Sequence, residues 1–533
     1  MSIKIKPFKK NGMGRRNILS VCLLPFLAYS TAADAIITDP SGLDLVTSIT
    51  GLTDEHCDAA LDTNTFLPIF ECGDEFFEFT FNAADGGGAN VGNGLRYTRL
   101  PRADNPEWAN QTPPRATGPN AGGCVICHES PVGTSAGTNG LNVVRDPLHS
   151  ADPGQMIVRN TPHLMGSGAL QLLAEEMTER LHKIRDKAVA EACDEEKDVW
   201  AQLVTKSVGF GSIHVHVEDD YDSDACAFEI DYSAIMGIDM DLVVKPFQWK
   251  GSDVSLRKFA NGAFHDEIGM QPVETAGVGI DGDGDGVIDE VHVDDVTATV
   301  VYMAGQTRPQ TEIELNQLRI DLEADGSQAA LDLLAVLGLP ELTQADIDQI
   351  NFGRNQFGKA MCTSCHKPKM ILKDPIFREP STNPNFNADA MHAKTIDDWT
   401  TVEFDLTAAL PDNNIVAGAV NQNLSNLKTN ANGRAVVELF GDLKRHAMGS
   451  CLAENIDEVN TGKDVWMTKE LWGVGQTGQY MHDGRATTIE EAILEHCADG
   501  EAGPSRQKFL DLTLKKKKAL VRFLNNLVIL KHE

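Results

Sequence analysis

Two copies of a C-x-x-C-H motif constrain this chain more than any other feature. They are Cys124-Val125-Ile126-Cys127-His128 and Cys362-Thr363-Ser364-Cys365-His366. In c-type haem attachment, the two thiols add to the vinyl groups of one haem and the adjacent imidazole binds the iron from the same loop. A zinc site would need a second Cys/His pair at matching spacing, and a redox C-x-x-C would not need the histidine twice. The motifs predict two covalent c-type haems, with His128 and His366 as iron ligands.

The N-terminus predicts export. Basic residues precede a short apolar run from Ile18 to Tyr29, and Ala33-Asp34-Ala35 resembles a signal-peptidase site. The run is too short to span a bilayer comfortably, so we expect cleavage near residue 35 and a soluble periplasmic protein without a membrane span. The net charge of -32 argues against nucleic acid as a partner and favours a basic soluble one.

Six cysteines lie outside the signal and the two motifs. An even number in an oxidising compartment predicts disulfides, whose connectivity the sequence leaves open. Sequential pairing closes the shortest loops and is the pairing we expect: 57–72, 193–226 and 451–497.

The remaining patterns predict a mainly α fold with two cytochrome c-like haem domains, long loops and a small β or irregular insert. Apolar residues at helical spacing run from Leu170 to Ile184, whereas Ile213, Val215 and Val217 alternate as in a strand. We further expect short strands near 76–81, helices over 310–336 and 505–530, and a helix carrying Phe357 into the second motif. The predicted domains are a signal peptide (1–35), an irregular extension (36–119), an N-terminal haem domain with a calcium-loop insert (120–345) and a C-terminal cytochrome c-like domain (346–533).

An acidic loop suggests a calcium ion as a further cofactor. Asp281, Asp283, Asp285 and Asp289 alternate with other residues, and Gly286 permits a sharp turn, as in EF-hand loops. The twelfth position, normally Glu, is His292, so the motif is incomplete. A solvated acidic turn is the alternative.

The stretch LWGVGQTGQYMHDGRATTIEEAILEH, residues 471–496, strongly resembles bacterial di-haem oxidoreductases labelled "putative peroxidases" or "thiol oxidoreductases". These belong to the di-haem cytochrome c peroxidase superfamily, with the methylamine-dehydrogenase maturation enzyme and the rubber oxygenases. Shorter matches lie at 159–173, 247–269 and 442–449, and the resemblance covers residues 120–530.

For the second haem, the resemblance implies a distal ligand fourteen residues after His482, which is His496. That haem would then be a bis-histidine electron-transfer centre. Arg485 would pair with a haem propionate, and His482 would buttress propionates or backbone rather than bind iron. A histidine on a helix face beside Cys497 is the alternative interpretation of His496.

For the first haem, the resemblance implies the reaction centre. Peroxide cleavage needs an acid/base group there, but the glutamate position of the peroxidase relatives falls on Gln171, which cannot shuttle a proton. Glu175 or Glu176 would then take the role, unless both lie on an exposed helix face. Trp249 resembles an inter-haem tryptophan and Phe264 a distal-pocket phenylalanine of the rubber oxygenases; core packing is the alternative for Trp249. Further ligand candidates are His163, His265, His446 and Met448.

Three functional classes stay open at this point. The first is a peroxidase, fed with electrons by a small cytochrome c or copper protein through the second haem. The second is an oxygenase or oxidase that uses O2 or hydrogen peroxide against an organic substrate. The third is a non-catalytic di-haem electron-transfer cytochrome. The family motifs around both haems favour the peroxidase-type oxidoreductase.

Overall fold

The computed structural model describes most of the chain. Contacts divide it into two units, Met1–Thr50 and Gly51–Glu533. In the first unit, β1 and β2 pair as an antiparallel hairpin. The predicted signal peptide lies outside the described residues except for Ala35. The described residues are 35–38, 44–47, 56–90, 95–96, 111–115, 119–129, 136–138, 140, 142–150, 152–218, 226–387, 401–408, 410 and 424–529.

Helices make up 37% of the structure and strands 15%, distributed over many small sheets. The predicted mainly α fold is therefore wrong, because short hairpins close the loops around the apolar core. The α-helices are α1 Asp58–Leu61, α2 Phe66–Glu78, α3 Ser167–Glu195, α4 Leu256–Gly262, α5 Val273–Ala276, α6 Val293–Gly305, α7 Glu312–Asp325, α8 Gln328–Leu337, α9 Gln344–Lys359, α10 Ile489–Glu495, α11 Gly503–Leu510 and α12 Leu514–Asn525.

The sheets of the described residues have two or three strands each. The two three-stranded sheets have the strand orders β7-β8-β9 and β11-β15-β14, and the paired strands are antiparallel. The strands are β1 Ala35–Thr38, β2 Asp44–Thr47, β3 Ala89–Asn90, β4 Leu95–Arg96, β5 Val143–Arg145, β6 Ile157–Arg159, β7 Val199–Thr205, β8 Val208–Val217, β9 Phe228–Asp231, β10 Gln310–Thr311, β11 Met370–Leu372, β12 Ile376–Glu379, β13 Val402–Asp405, β14 Lys428–Thr429, β15 Ala435–Val437, β16 Arg445–Ala447, β17 Val465–Met467 and β18 Leu527–Val528.

Close helix packing places the two haem motifs on the core. A Cβ atom at Gly73 of α2 would lie 2.1 Å from the carbonyl oxygen of Ala298 in α6, and one at Gly353 of α9 would lie 1.8 Å from that of Ala519 in α12. Only glycine permits these approaches. The α9 helix ends directly before the second motif, as predicted, with Phe357 buried among the aromatic rings of Phe440 and Phe523.

Some of the predicted helices and strands are confirmed, and others are wrong. The helix at 170–184 is confirmed within α3, and the strand at 213–217 within β8. The strands expected near 76–81 are wrong, because Phe76 and Phe77 belong to α2, whose buried apolar residues follow helical spacing. The helical regions predicted at 310–336 and 505–530 are each two helices: Gly326, in the left-handed conformation, ends α7, and α11 ends at Leu510 before α12 begins at Leu514.

All three expected disulfides form. They join Cys57 to Cys72, Cys193 to Cys226 and Cys451 to Cys497, with Cα–Cα distances of 5.9, 5.6 and 5.7 Å. Within the described part of the chain, no helix combines the length and apolarity that crossing a membrane requires. The three boundaries between the four predicted segments stay predictions.

Candidate haem cavities

The first motif lines a cavity of about 530 Å³, which we call the N-terminal cavity. The imidazole Nδ1 of His128 lies 3.1 Å from the carbonyl oxygen of Gly137, which selects Nε2 as the nitrogen available to a metal. The ring of Phe77 in α2 lies 5.9 Å from this imidazole. The residues that line this cavity include Cys124, Cys127, His128, Trp249, Phe259, Phe264, Asp266, Glu267, Met303 and Glu458.

The second motif lines a cavity of about 240 Å³, the C-terminal cavity. The Nδ1 atom of His366 lies 3.1 Å from the carbonyl oxygen of Phe440. His496, at the end of α10, also lines this cavity, and its Nδ1 lies 2.8 Å from the carbonyl oxygen of Ala492. Both imidazoles are therefore held by the same kind of contact as His128, with Nε2 left for a ligand.

These residues fit c-type haem. The six disulfide cysteines all lie outside the two motifs, so the motif sulfurs are not committed to disulfides. Burial lowers the pKa of His128 and of His366 to about 4, which keeps both imidazoles in the neutral, metal-binding form. Burial also raises the pKa of Cys124 and Cys362 to about 12. Each motif thus presents two sulfurs and one neutral imidazole to one cavity, which is the donor set that a c-type haem uses.

Trp249 lies between the two cavities and lines both of them. Its indole Nε1 donates a hydrogen bond to the carbonyl oxygen of Asn160 at 2.7 Å, which fixes the ring. Asn160, Thr161 and Pro162 also line both cavities. One indole and one short segment thus form the wall that the two cavities share.

The structure does not bring the predicted acid residues to a cavity. Among the described residues that line the two cavities, Gln171, Glu175 and Glu176 are absent. Gln171 is fully buried, accepts a hydrogen bond from the backbone N–H of Leu256 and donates one to Glu175.

Glu175 and Glu176 instead form hydrogen bonds that hold α3 against neighbouring segments. Glu175 accepts from Ser381 Oγ at 3.0 Å, and burial raises its pKa to about 7. Glu176 accepts from Lys206 Nζ at 2.6 Å and from the backbone N–H of Lys373 at 2.6 Å. Both side chains are therefore engaged by residues outside the linings of the two cavities.

Glu267 is the carboxylate that the sequence reasoning missed. It lines the N-terminal cavity from a π-helix, Ala263–Ile268, that continues α4 and also carries Phe264. Its Oε2 accepts a hydrogen bond from Asn120 Nδ2 at 2.7 Å, and its Oε1 lies 3.7 Å from Arg145. Burial raises its pKa to about 7, although Arg145 opposes the shift. The available signal was the Asp266-Glu267 pair next to Phe264, inside a segment already matched to the family.

The other candidate iron ligands differ in the contacts that they make. His163 and Met448 line the C-terminal cavity, and His163 Nε2 lies 3.0 Å from the carbonyl oxygen of Trp472. His446 also lines it, but Asp442 and Glu501 hold its two ring nitrogens at 3.0 and 2.7 Å.

Burial alone would lower the pKa of His446, yet Asp442 and the free Cys365 sulfur raise it to about 11. Because Asp442 and Glu501 already engage both ring nitrogens, this imidazole is a poor iron ligand. His482 lines the C-terminal cavity and stacks on Trp466 at 3.8 Å. His265 and Arg485 are not among the described residues lining either cavity, and Arg485 pairs with Asp483 at 2.7 Å.

The acidic loop gathers three of its four predicted ligands. Asp281, Asp283 and Asp285 place carboxylate oxygens within 4.8 Å of one another. Asp289 does not join them, because its Oδ1 accepts a hydrogen bond from the backbone N–H of Gly279. Burial, followed by the charges of Asp283 and Asp285, raises the pKa of the nearby Glu290 to about 9.

Comparison with known proteins locates the family match in the C-terminal part of the chain. Among curated proteins, none matches. A solved structure described as a MauG-like protein associated with microbial copper homeostasis is 16% identical, with a TM-score of 0.25, over 53% of this chain and 69% of its own; such a TM-score is too low to transfer fold or function. Residues 420–527 match the family described as "Di-haem oxidoreductase, putative peroxidase". This match contains His496 and confirms, over residues 420–527, the resemblance to di-haem oxidoreductases seen in the sequence.

Proposed function

We propose that the protein reduces hydrogen peroxide at the N-terminal cavity and relays the electrons through the C-terminal cavity. The difference between the two cavities carries this proposal. Among the described residues that line the N-terminal cavity, His128 is the one histidine, and five carboxylates accompany it: Asp239, Asp253, Asp266, Glu267 and Glu458. The C-terminal cavity holds the pair His366 and His496. One cavity thus suits an open iron site with acid/base groups, and the other a six-coordinate electron carrier.

Peroxide reduction consumes two electrons and two protons and yields two water molecules. A c-type haem, when bound, supplies the iron and the electrons. Glu267 would accept a proton from one peroxide oxygen and donate it to the other as the O–O bond breaks. A carboxyl group with a pKa of about 7 is suited to both transfers near neutral pH. Asn120 and Arg145 hold that carboxyl in place.

Electron transfer between the cavities would use Trp249. Its indole lies in the wall common to both cavities and is anchored to Asn160. The external donor would be a small soluble cytochrome c or copper protein in the periplasm. The net charge of -32 favours a donor that presents a basic surface.

An oxygenase acting on an organic substrate is the second candidate function. The observation favouring it is Phe264, which lines the N-terminal cavity and packs its ring 5.8 Å from Phe76. With Phe259 and Met303 it gives the cavity an apolar portion that a hydrocarbon chain could occupy.

Low-temperature EPR of the haem-loaded protein, oxidised and half-reduced, tests the proposal. We expect one high-spin ferric signal that disappears on peroxide addition, together with steady-state consumption of peroxide when a reduced cytochrome c is supplied. Oxygen consumption that depends on an organic substrate would instead support the oxygenase. Two low-spin signals that do not respond to peroxide in either state would overturn both.

We also propose that the acidic loop binds calcium through Asp281, Asp283, Asp285 and Glu290. Glu290 replaces the missing glutamate at the twelfth position, since His292 instead precedes α6 and stacks on His56 at 3.5 Å. Glu290 is 5% exposed, and its Oε1 has no hydrogen-bond partner among the described residues. A buried oxygen without a donor, beside carboxylates that repel it, is suited to a hard cation.

A further inference from the structure

The solvent-facing side of the β7-β8-β9 sheet carries a group of polar side chains. Along β8, Ile213 and Val215 are fully buried, so the alternation of a strand places His214 and His216 on the opposite face. The register puts Trp200 of β7 opposite His214. On the other side of β8, Asp231 lies opposite His214 and Glu229 opposite His216. Two imidazoles therefore stand among carboxylates on one sheet face.

Asp198, directly before β7, brings a third carboxylate onto this face. Its Oδ2 lies 2.9 Å from His216 Nδ1 and 3.6 Å from His214 Nε2. The two imidazole centroids are 3.7 Å apart. One ligand atom from each of the three residues falls within 4.8 Å of the other two. Three atoms that can bind a metal thus converge on one point.

The surroundings keep these atoms in position. The indole of Trp200 stacks on the His214 ring at 4.0 Å with an interplanar angle of 13°. The disulfide Cys193–Cys226 ties the end of α3 to the segment that leads into β9. The central strand, with neighbours on both sides, provides a rigid base for both histidines. Metal sites built on such elements need little rearrangement.

We propose that Asp198, His214 and His216 form a binding site for a divalent transition-metal ion of the zinc or copper type, separate from the haem cavities. Two imidazoles and one carboxylate are a ligand set that these ions prefer, whereas calcium and magnesium prefer oxygen alone. Asp198 and His216 are about half exposed, at 51% and 42%, so the ion can enter from solvent and keep a water-accessible position. Glu229 and Asp231 add negative charge that attracts a cation.

Zinc binding to the haem-loaded protein tests this site. After removal of adventitious metal with a chelator, equilibrium dialysis against Zn²⁺ with elemental analysis gives stoichiometry and affinity. We expect one bound zinc ion per chain to be lost in the His214→Ala/His216→Ala double variant. In Asp198→Asn we expect at least about a tenfold weaker affinity. The Soret band and the far-UV circular dichroism should stay as in the unmodified protein, which verifies that the sheet is folded.

His182→Ala is the matched control, because this histidine lies on α3 and its Nε2 lies 2.8 Å from the backbone carbonyl oxygen of Asp241. It should bind zinc as the unmodified protein does. Zinc uptake that the double variant retains at full stoichiometry and affinity would overturn the proposal, and so would an unmodified protein that binds no zinc. If the double variant unfolds, Asp198→Asn alone decides, since it changes one exposed side chain. Peroxide turnover is not needed for any of these readouts, so failure here is distinguishable from failure of the proposed peroxidase function.

Discussion

The indole Nε1 of Trp249 donates a hydrogen bond to the carbonyl oxygen of Asn160 at 2.7 Å, and both residues line both haem cavities. This contact holds an oxidisable ring in the one wall that the cavities share. The ammonium group of Lys469 lies 5.4 Å from the ring centroid. From this position we expect Trp249 to carry electrons between the two haems, as its resemblance to an inter-haem tryptophan implied.

Replacing Trp249 tests that expectation. In Trp249→Phe we expect electron transfer between the haems to slow at least about tenfold, because phenylalanine fills similar space but is far harder to oxidise. Stopped-flow spectroscopy of the half-reduced protein after peroxide addition measures this rate. Trp249→Tyr is the matched variant, since its phenol is oxidisable, and it should recover part of the rate. Equal rates in all three proteins would show that the indole serves only packing.

Replacing Glu267 tests proton transfer in the N-terminal cavity. Glu267→Gln should lower the rate of reaction with peroxide by about 10²–10⁴-fold, the usual contribution of general acid–base catalysis. The active form is the carboxylate, so the rate in the unmodified protein should rise with pH through about 7, and this rise should vanish in the variant.

Glu175→Gln is the control for that experiment. Burial raises the pKa of Glu175 to about 7 as well, but this side chain lies outside both cavity linings. We expect its pH profile to match that of the unmodified protein. Haem content, measured as the pyridine haemochrome, should be the same in both variants. A normal pH profile in Glu267→Gln would contradict the assignment.

His496 should ligate the second iron. In His496→Ala, the low-spin EPR signal of that haem should convert to high spin, because the C-terminal cavity loses an imidazole whose Nδ1 is already held by Ala492. His446→Gln should keep the low-spin signal, since Asp442 and Glu501 engage both nitrogens of His446. The reverse pattern of spin states would exchange the roles of the two histidines.

Calcium should stabilise the protein more as the pH rises. Without the ion, Glu290 has a folded-state pKa of about 9, above its ordinary value of 4.5. The folded state therefore binds more protons than the unfolded state between these values, and stability falls as the pH rises from about 4.5 to 9. Calcium should remove this dependence. Thermal unfolding with chelator or with Ca²⁺ at pH 5 and pH 8 measures it, and Glu290→Gln should lose most of the calcium effect. Melting curves unaffected by chelator at both pH values would exclude the site.

A buried ion cluster should matter for stability. Arg257 on α4 contacts Glu274 at 2.5 Å and Glu379 at 2.6 Å, and all three side chains are at most 2% exposed. Arg257→Met leaves two buried carboxylates without their cation, so we expect a loss of about 3–5 kcal/mol in the free energy of unfolding. Lys183→Met removes an exposed pair with Glu179 and should change it by less than about 1 kcal/mol. Urea unfolding followed by circular dichroism compares them, and similar losses in both would contradict the argument.

The amino-acid sequence was sufficient to predict the chemistry that depends on short spacing. Both C-x-x-C-H motifs and the helix leading into the second one follow from residues close together in the chain, whereas the disulfide pairing, left open by the sequence, was decided by the structure. The family match at 420–527 supports the resemblance that was seen around His496. Such features are local, so the pattern of residues is enough to predict them.

Three-dimensional packing was needed to show which distant side chains meet. It placed Glu267 at the N-terminal cavity and turned Glu175 and Glu176 toward β-strands, because the side of α3 that faces the core depends on its packing partners and not on its own periodicity. It kept Asp289 apart from the three clustered aspartates of the acidic loop, hydrogen-bonded to the backbone N–H of Gly279. It also closed the loops with small hairpins where a mainly α fold was expected. Each outcome depends on contacts between residues far apart in sequence, and a single sequence does not record those contacts.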